Sequence, residues 1–172
     1  AALLDALGID RITVFAASGG GPASYELAAR HHDRVSRLVE VDAICIPGRP
    51  PRLASNLLAW DWAAKMQLWF LRQAPRQTLG ALMGGAGTES RAVVSARAKE
   101  LAAIPGRTDT VEATLRASLG AKRRRAGMKN DYAELVPAAL ERITCPTLIV
   151  HARSDRMAPP ANAEYAHARI AG

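Results

Sequence analysis

The chain has 172 residues and a mass of 18.3 kDa, enough for one ordinary domain with a sizeable core. Apolar residues make up 49% and charged residues 23%, which excludes a disordered or collagen-like chain. The formal net charge of +7 is local: residues 44–140 hold 15 Lys and Arg against 7 Asp and Glu.

That basic segment raises nucleic acid as a partner. No aromatic side chains interleave with its densest run, Lys122–Arg125, so a solvated Arg-rich surface is the expectation and no nucleic-acid partner is assigned. No apolar run reaches 18 residues and no basic-then-apolar leader opens the chain, so we expect a cytoplasmic protein without membrane contact. Two cysteines, Cys45 and Cys145, are too few for a disulfide framework.

In chain order, residues 1–8 read as the end of a helix closed by Gly8. ITVFAA at 12–17 is an apolar run with β-branched residues, suited to a strand buried on both faces of a parallel sheet. SGGGP at 18–22 is a tight turn, and the stretch to His32 is helical with Pro22 in its first turn. VSRLVEVDA at 35–43 reads as a second strand, completing a β-α-β unit.

IPGRPP at 46–51 breaks the pattern. The chain then turns helical, with Leu58, Trp62, Met66, Trp69 and Phe70 at helical spacing over 53–73. Such a stripe is read as core, or as the lining of an apolar acyl pocket. GGAG at 84–87 separates it from a helix around 89–103, and another follows around 110–119. GMKND at 127–131 reads as a turn, with Asn130 and Asp131 capping the next helix. CPTLIVHA at 145–152 is a third strand, SDRMAPP a loop, and 160–170 a helix.

Two chemistries compete for the turn at Ser18. A dinucleotide site wants G-x-G-x-x-G after a strand, and Gly19 and Gly21 fit, with Ser24 in the third place and Asp42 available for a ribose. A nucleophile elbow wants small-x-Ser-x-Gly, and Ala16-Ala17-Ser18-Gly19-Gly20 supplies it. Ser18 then projects from a strained turn, and the Gly19 backbone N–H faces a developing oxyanion. The loop after the third strand decides between them. A serine hydrolase needs an acid there to orient a histidine, and Asp155 sits in HARSDRMAPP, after the serine in chain order.

The segments ITVFAASGGGP, AARHHDRVSRLVEVDA and ITCPTLIVHARSDRMAPPANAEYA together resemble the central and later parts of α/β-hydrolase-fold enzymes. The resemblance implies an α/β fold: a partial hydrolase core of three parallel strands at 1–43 and 141–172, with an all-α cap inserted at 44–140. It implies Ser18 as nucleophile, Gly19 as an oxyanion donor and Asp155 as triad acid, with no cofactor and no metal. The substrate class is a small apolar ester or lactone. Ala16 and Ala152 stand where the family has glycines. A serine in this place argues against epoxide hydrolysis and dehalogenation, which use an aspartate.

The family's histidine follows one further strand after the acid. Only 17 residues follow Asp155, and His31, His32, His151 and His167 are each read as surface or packing residues. The expectation is therefore a fragment whose histidine, earlier strands and second oxyanion donor lie elsewhere, and which is nearly inactive alone.

Overall fold

In a computed structural model we describe residues 2–46, 61–117, 119–133 and 138–171. The chain divides into two compact units, residues 1–48 with 135–172, and residues 49–134.

The first unit holds a three-stranded parallel sheet. Helix α1 (Ala2–Ala6) precedes β1 (Ile12–Ala17), and a 3-10 turn (Ser18–Gly20) runs directly into α2 (Gly21–Arg30). Then come β2 (Val35–Val41) and, late in the chain, β3 (Thr147–Val150). The order is β1-β2-β3 with both pairs parallel. The β-α-β reading thus holds, and the third strand joins the free side of the second. Gly8, with φ of +64°, ends α1 in the left-handed region where only glycine is unstrained. Arg34 ties the same turn to the sheet by donating to the carbonyls of Asp10 and Ile9 at 2.6 and 2.7 Å.

One face of this sheet is packed. Tyr25, Ala28 and Ala29 of α2 meet Val35 and Leu38 of β2, with Leu140, Ile143, Cys145 and Ala166 closing the same core. The opposite face is not packed. The cross-strand rows Phe15–Val39–Leu148 and Ala17–Val41–Val150 leave Phe15 68%, Leu148 57% and Val150 48% exposed. The strand at 12–17 is therefore not buried on both faces as its composition suggested, because the described helices of this unit cover one face only. Cys45 and Cys145 are buried free thiols.

The second unit is helical: α3 (Asp61–Gln73), α4 (Pro75–Ala86), α5 (Arg91–Ala103), α6 (Arg107–Ala117) and α7 (Ala121–Ala133). Leu68, Leu71, Leu79, Ala98 and Leu115 form its core. Three local expectations are corrected here. The Trp62, Met66, Trp69 and Phe70 stripe is exposed, not core, because Ala64, Leu68 and Leu71, one or two positions away on the helix, take the inward face. GGAG at 84–87 does not open a linker. Helix α4 runs through Gly84 and Gly85 to Ala86, and Gly87 caps it. Its packing uses glycine too: a Cβ on Gly80 would lie 3.7 Å from that of Ala98 on α5, so the helices approach closely there. GMKND at 127–131 is no turn, and Asn130 and Asp131 are no N-caps. Both lie inside α7, where a single glycine, Gly127, costs only about 1 kcal/mol. Leu58 and most of the break at 46–51 lie outside the described residues.

Candidate active site

The parallel register sets the site. The last rung of the sheet is Ala17–Val41–Val150, so the next residues, Ser18, Asp42 and His151, leave three neighbouring strands at one C-terminal edge. Edges of this kind are where open α/β sheets place their ligands.

Ser18 leaves the strand with φ of +50°, a left-handed conformation that non-glycine residues rarely adopt. Ala17 before it is extended and Gly21 after it is helical, so the chain reverses within three residues. The room for that reversal comes from small neighbours. A Cβ on Gly20 would meet that of Ala16 at 3.5 Å, ordinary contact, which is why alanine serves at position 16. Gly21 is under the strictest demand: a Cβ there would lie 2.3 Å from the Ile44 carbonyl oxygen. Gly19 has open space around it. The Ile44 N–H donates to the Ser18 carbonyl at 2.9 Å, so the segment after β2 holds the elbow from the other side.

Asp155 is anchored by its own loop. Its Oδ1 accepts the N–H groups of Met157 and Ala158 at 2.6 and 3.0 Å, which fixes the carboxylate's direction. His151, just past the end of β3, places Nε2 2.7 Å from the Ala158 carbonyl, and its buried Nδ1 has no partner among the described residues. That contact pins Nε2 as the N–H donor in the neutral ring. Asp42, also left-handed with φ of +46°, accepts the Ala152 N–H at 2.7 Å through Oδ1. The residue weighed for a ribose thus ties the ends of β2 and β3 together.

The structure also gathers what spacing alone did not. Asp42, His151 and Asp155 each bring one polar side-chain atom to within 4.8 Å of the others, and each also holds backbone of the loop after β3. A second feature escaped the sequence reading. Glu40 on β2 is fully buried directly behind the elbow, and Ser24 of α2 lies 2.5 Å from it. Its only signal was a lone acid in the apolar run LVEV.

A left-handed serine closes a parallel strand, a helix starts three residues later, and a loop carrying an acid lies two strands away. Over residues 1–172 the chain matches the model of the alpha/beta hydrolase fold. An alpha/beta hydrolase fold protein from Nakamurella multipartita is similar at 34% identity and a TM-score of 0.81, over 99% of this chain and 61% of that one. A hydrolase from Pseudomonas aeruginosa is similar at 25% identity and a TM-score of 0.58, over 99% and 57%. The enol-lactonase from Burkholderia xenovorans shares the fold at 21% identity and a TM-score of 0.59, over 99% and 58%. The chain therefore spans about three fifths of the length of these solved relatives. No curated protein matches it. With its parallel sheet and flanking helices, the chain belongs to the alpha/beta hydrolase fold family.

Proposed function

We propose that the protein is a serine hydrolase of small apolar esters or lactones. The observation that carries the reading is the left-handed Ser18 just past the last rung of a parallel strand, at the same sheet edge from which the loop of Asp155 leaves. Strain of this kind costs on the order of 1–3 kcal/mol and persists where the surroundings impose it. Here Gly21 and Ile44 impose it.

In this reading Ser18 Oγ attacks the acyl carbon and the Gly19 N–H stabilises the oxyanion that forms. Asp155 orients a histidine that takes the serine proton and returns it to the leaving group. This reading assigns that histidine and a second oxyanion donor to the part of the relatives' fold that the 172 residues do not span. The helical segment at 44–140 is read as the family's cap insertion, and no cofactor takes part.

Hydrolysis of p-nitrophenyl acetate tests this, using the chain alone and a version extended to the length of its relatives. The extended protein should show an acyl-enzyme burst that Ser18→Ala removes. The chain alone should fall short by about 10⁴–10⁶-fold, the usual cost of a missing triad member. Ordinary turnover by the chain alone, dependent on Ser18, would overturn the assignment of the base and turn attention to His151.

A further inference from the structure

Glu40 lies in the middle sheet row between Ala16 of β1 and Ile149 of β3, with no solvent exposure. Its Oε1 is 2.5 Å from Ser24 Oγ, and its buried Oε2 has no partner among the described residues. Ser24 Oγ also lies 2.8 Å from the Gly21 carbonyl, the first residue of the helix that leaves the elbow.

The protons can be counted. A serine hydroxyl has one, and the Gly21 carbonyl can only accept. If Glu40 were a carboxylate, two acceptors would claim the same hydrogen and one short contact would lack any. If Glu40 carries a proton, Oε1 donates to Ser24, Ser24 donates to Gly21, and both contacts are hydrogen bonds. The bare Oε2 agrees. An unpartnered carbonyl oxygen in the interior costs far less than an unpaired carboxylate oxygen. No ion pair to Glu40 occurs among the described residues.

We propose that Glu40 is a positioning residue, a buried acid kept in its protonated form, which through Ser24 holds the Gly21 carbonyl and with it the backbone presenting Ser18. The positioning role rests on the reading of Ser18 as nucleophile; the protonated clamp does not.

The surroundings fit. Burial pushes the Glu40 carboxyl up to about 7, with the Ser24 hydrogen bond opposing. Tyr25 of α2 also faces it, with its phenol pushed up by burial and then by Glu40. Cys45, after β2, is pushed up to about 11 by burial and then by Glu40, while Arg169 pulls it down. Neither Tyr25 nor Cys45 is charged near neutrality, so neither offsets ionisation of Glu40. When Glu40 ionises, the Ser24 proton turns toward the carboxylate and the Gly21 carbonyl loses the Ser24 hydrogen bond. The clamp is thus present at mildly acidic pH and released as pH rises through about 7.

Carboxyl-carbon NMR of the chain with labelled glutamate tests the proposal. The Glu40 resonance is the one absent from Glu40→Gln, or is assigned through bonds in the wild type should that variant not fold. It should titrate near 7, not near the ordinary 4.5, and the Ser18 and Gly21 amide signals should move with the same midpoint. Glu40→Gln, whose amide donates to Ser24 as the protonated acid does, should keep the fold and lose that step. In Ser24→Ala, Glu40 should still titrate while the Gly21 amide no longer follows. In the extended enzyme, fluorophosphonate labelling of Ser18 should show a basic-side decline with this midpoint that Glu40→Gln lacks. An ordinary Glu40 titration, or silent Ser18 and Gly21 amides through its step, overturns the proposal. An unreactive Ser18 overturns the hydrolase reading instead and leaves the NMR result standing.

Discussion

Ser18 and Gly21 divide the demands of the elbow between them. Ser18 carries the left-handed φ with a side chain attached, and Gly21 leaves the space the reversal needs. Replacing Ser18 by glycine should therefore stabilise the fold by about 1 kcal/mol, since glycine adopts that φ freely. The same change should abolish labelling by fluorophosphonate. Opposite signs for stability and reactivity, read by urea denaturation and labelling, mark a residue kept for chemistry; a loss of stability would contradict the strain argument. Gly21→Ala should act differently. Its Cβ meets backbone, at 2.3 Å from the Ile44 oxygen, and backbone cannot turn aside as a side chain can. About 3 kcal/mol of destabilisation is expected, visible as a lower urea midpoint with an unchanged slope.

Among the elements, the helices of the second unit show how weakly some of the chain specifies itself. Helix α5 begins at an N-cap, Ser90, whose side chain accepts the Val93 N–H at 3.4 Å, and buries Val94 and Ala98. Helix α7 has the run AKRRRAGMKNDYA and no comparable apolar face. Helices α3 and α6, which share Leu68, Leu71 and Leu115 in the core, are joined by charge as well. Glu112 accepts from Arg72 of α3 at 2.7 Å and from Arg116, one turn on, at 2.7 Å. Hydrogen bonds from Arg72 and then Arg116 pull its carboxyl down to about 2. The folded value lies below the ordinary 4.5, so this stabilisation is present above about 4.5 and is lost as pH falls toward 2. All three side chains are partly or well exposed, so the effect should be small and salt-sensitive. Glu112→Gln should flatten the acid limb of the stability–pH curve at low salt and change little in concentrated salt. An acid limb unchanged by the substitution would show that the pair contributes nothing.

For the molecule as a whole, the open sheet face matters most. Phe15, Leu148 and Val150 form an apolar patch across β1 and β3, the two edge strands of the described sheet. Patches of this kind drive association or wait for a cover. The 172-residue chain should bind a hydrophobic dye while folded and self-associate as its concentration rises. Phe15→Ser with Leu148→Ser should reduce both, as seen by fluorescence and light scattering, with the sheet intact by circular dichroism. No dye binding by the folded chain would mean that the face is covered in solution. No described helix is long and apolar enough to cross a membrane.

Much of this was legible without coordinates, because it is local. Strand-turn-helix at 12–30 follows from β-branched residues, a glycine-rich turn and a helical period, and small-x-Ser-x-Gly marks the elbow. Order along the chain also put an acid loop after the third strand. What tertiary structure decided are properties that depend on distant neighbours. Periodicity found helix α3 but not its inward face, since the core of that unit also draws on Leu79, Ala98 and Leu115. Apolar composition suggested a strand covered twice, whereas cover depends on which helices reach it. The gathering of Asp42, His151 and Asp155 needed the register of two strand pairs. The protonation of Glu40 needed one hydroxyl, 16 residues away in sequence, with a single proton for two acceptors. Sequence spacing carries short-range geometry, while burial and the sharing of protons are set by whatever the fold brings alongside.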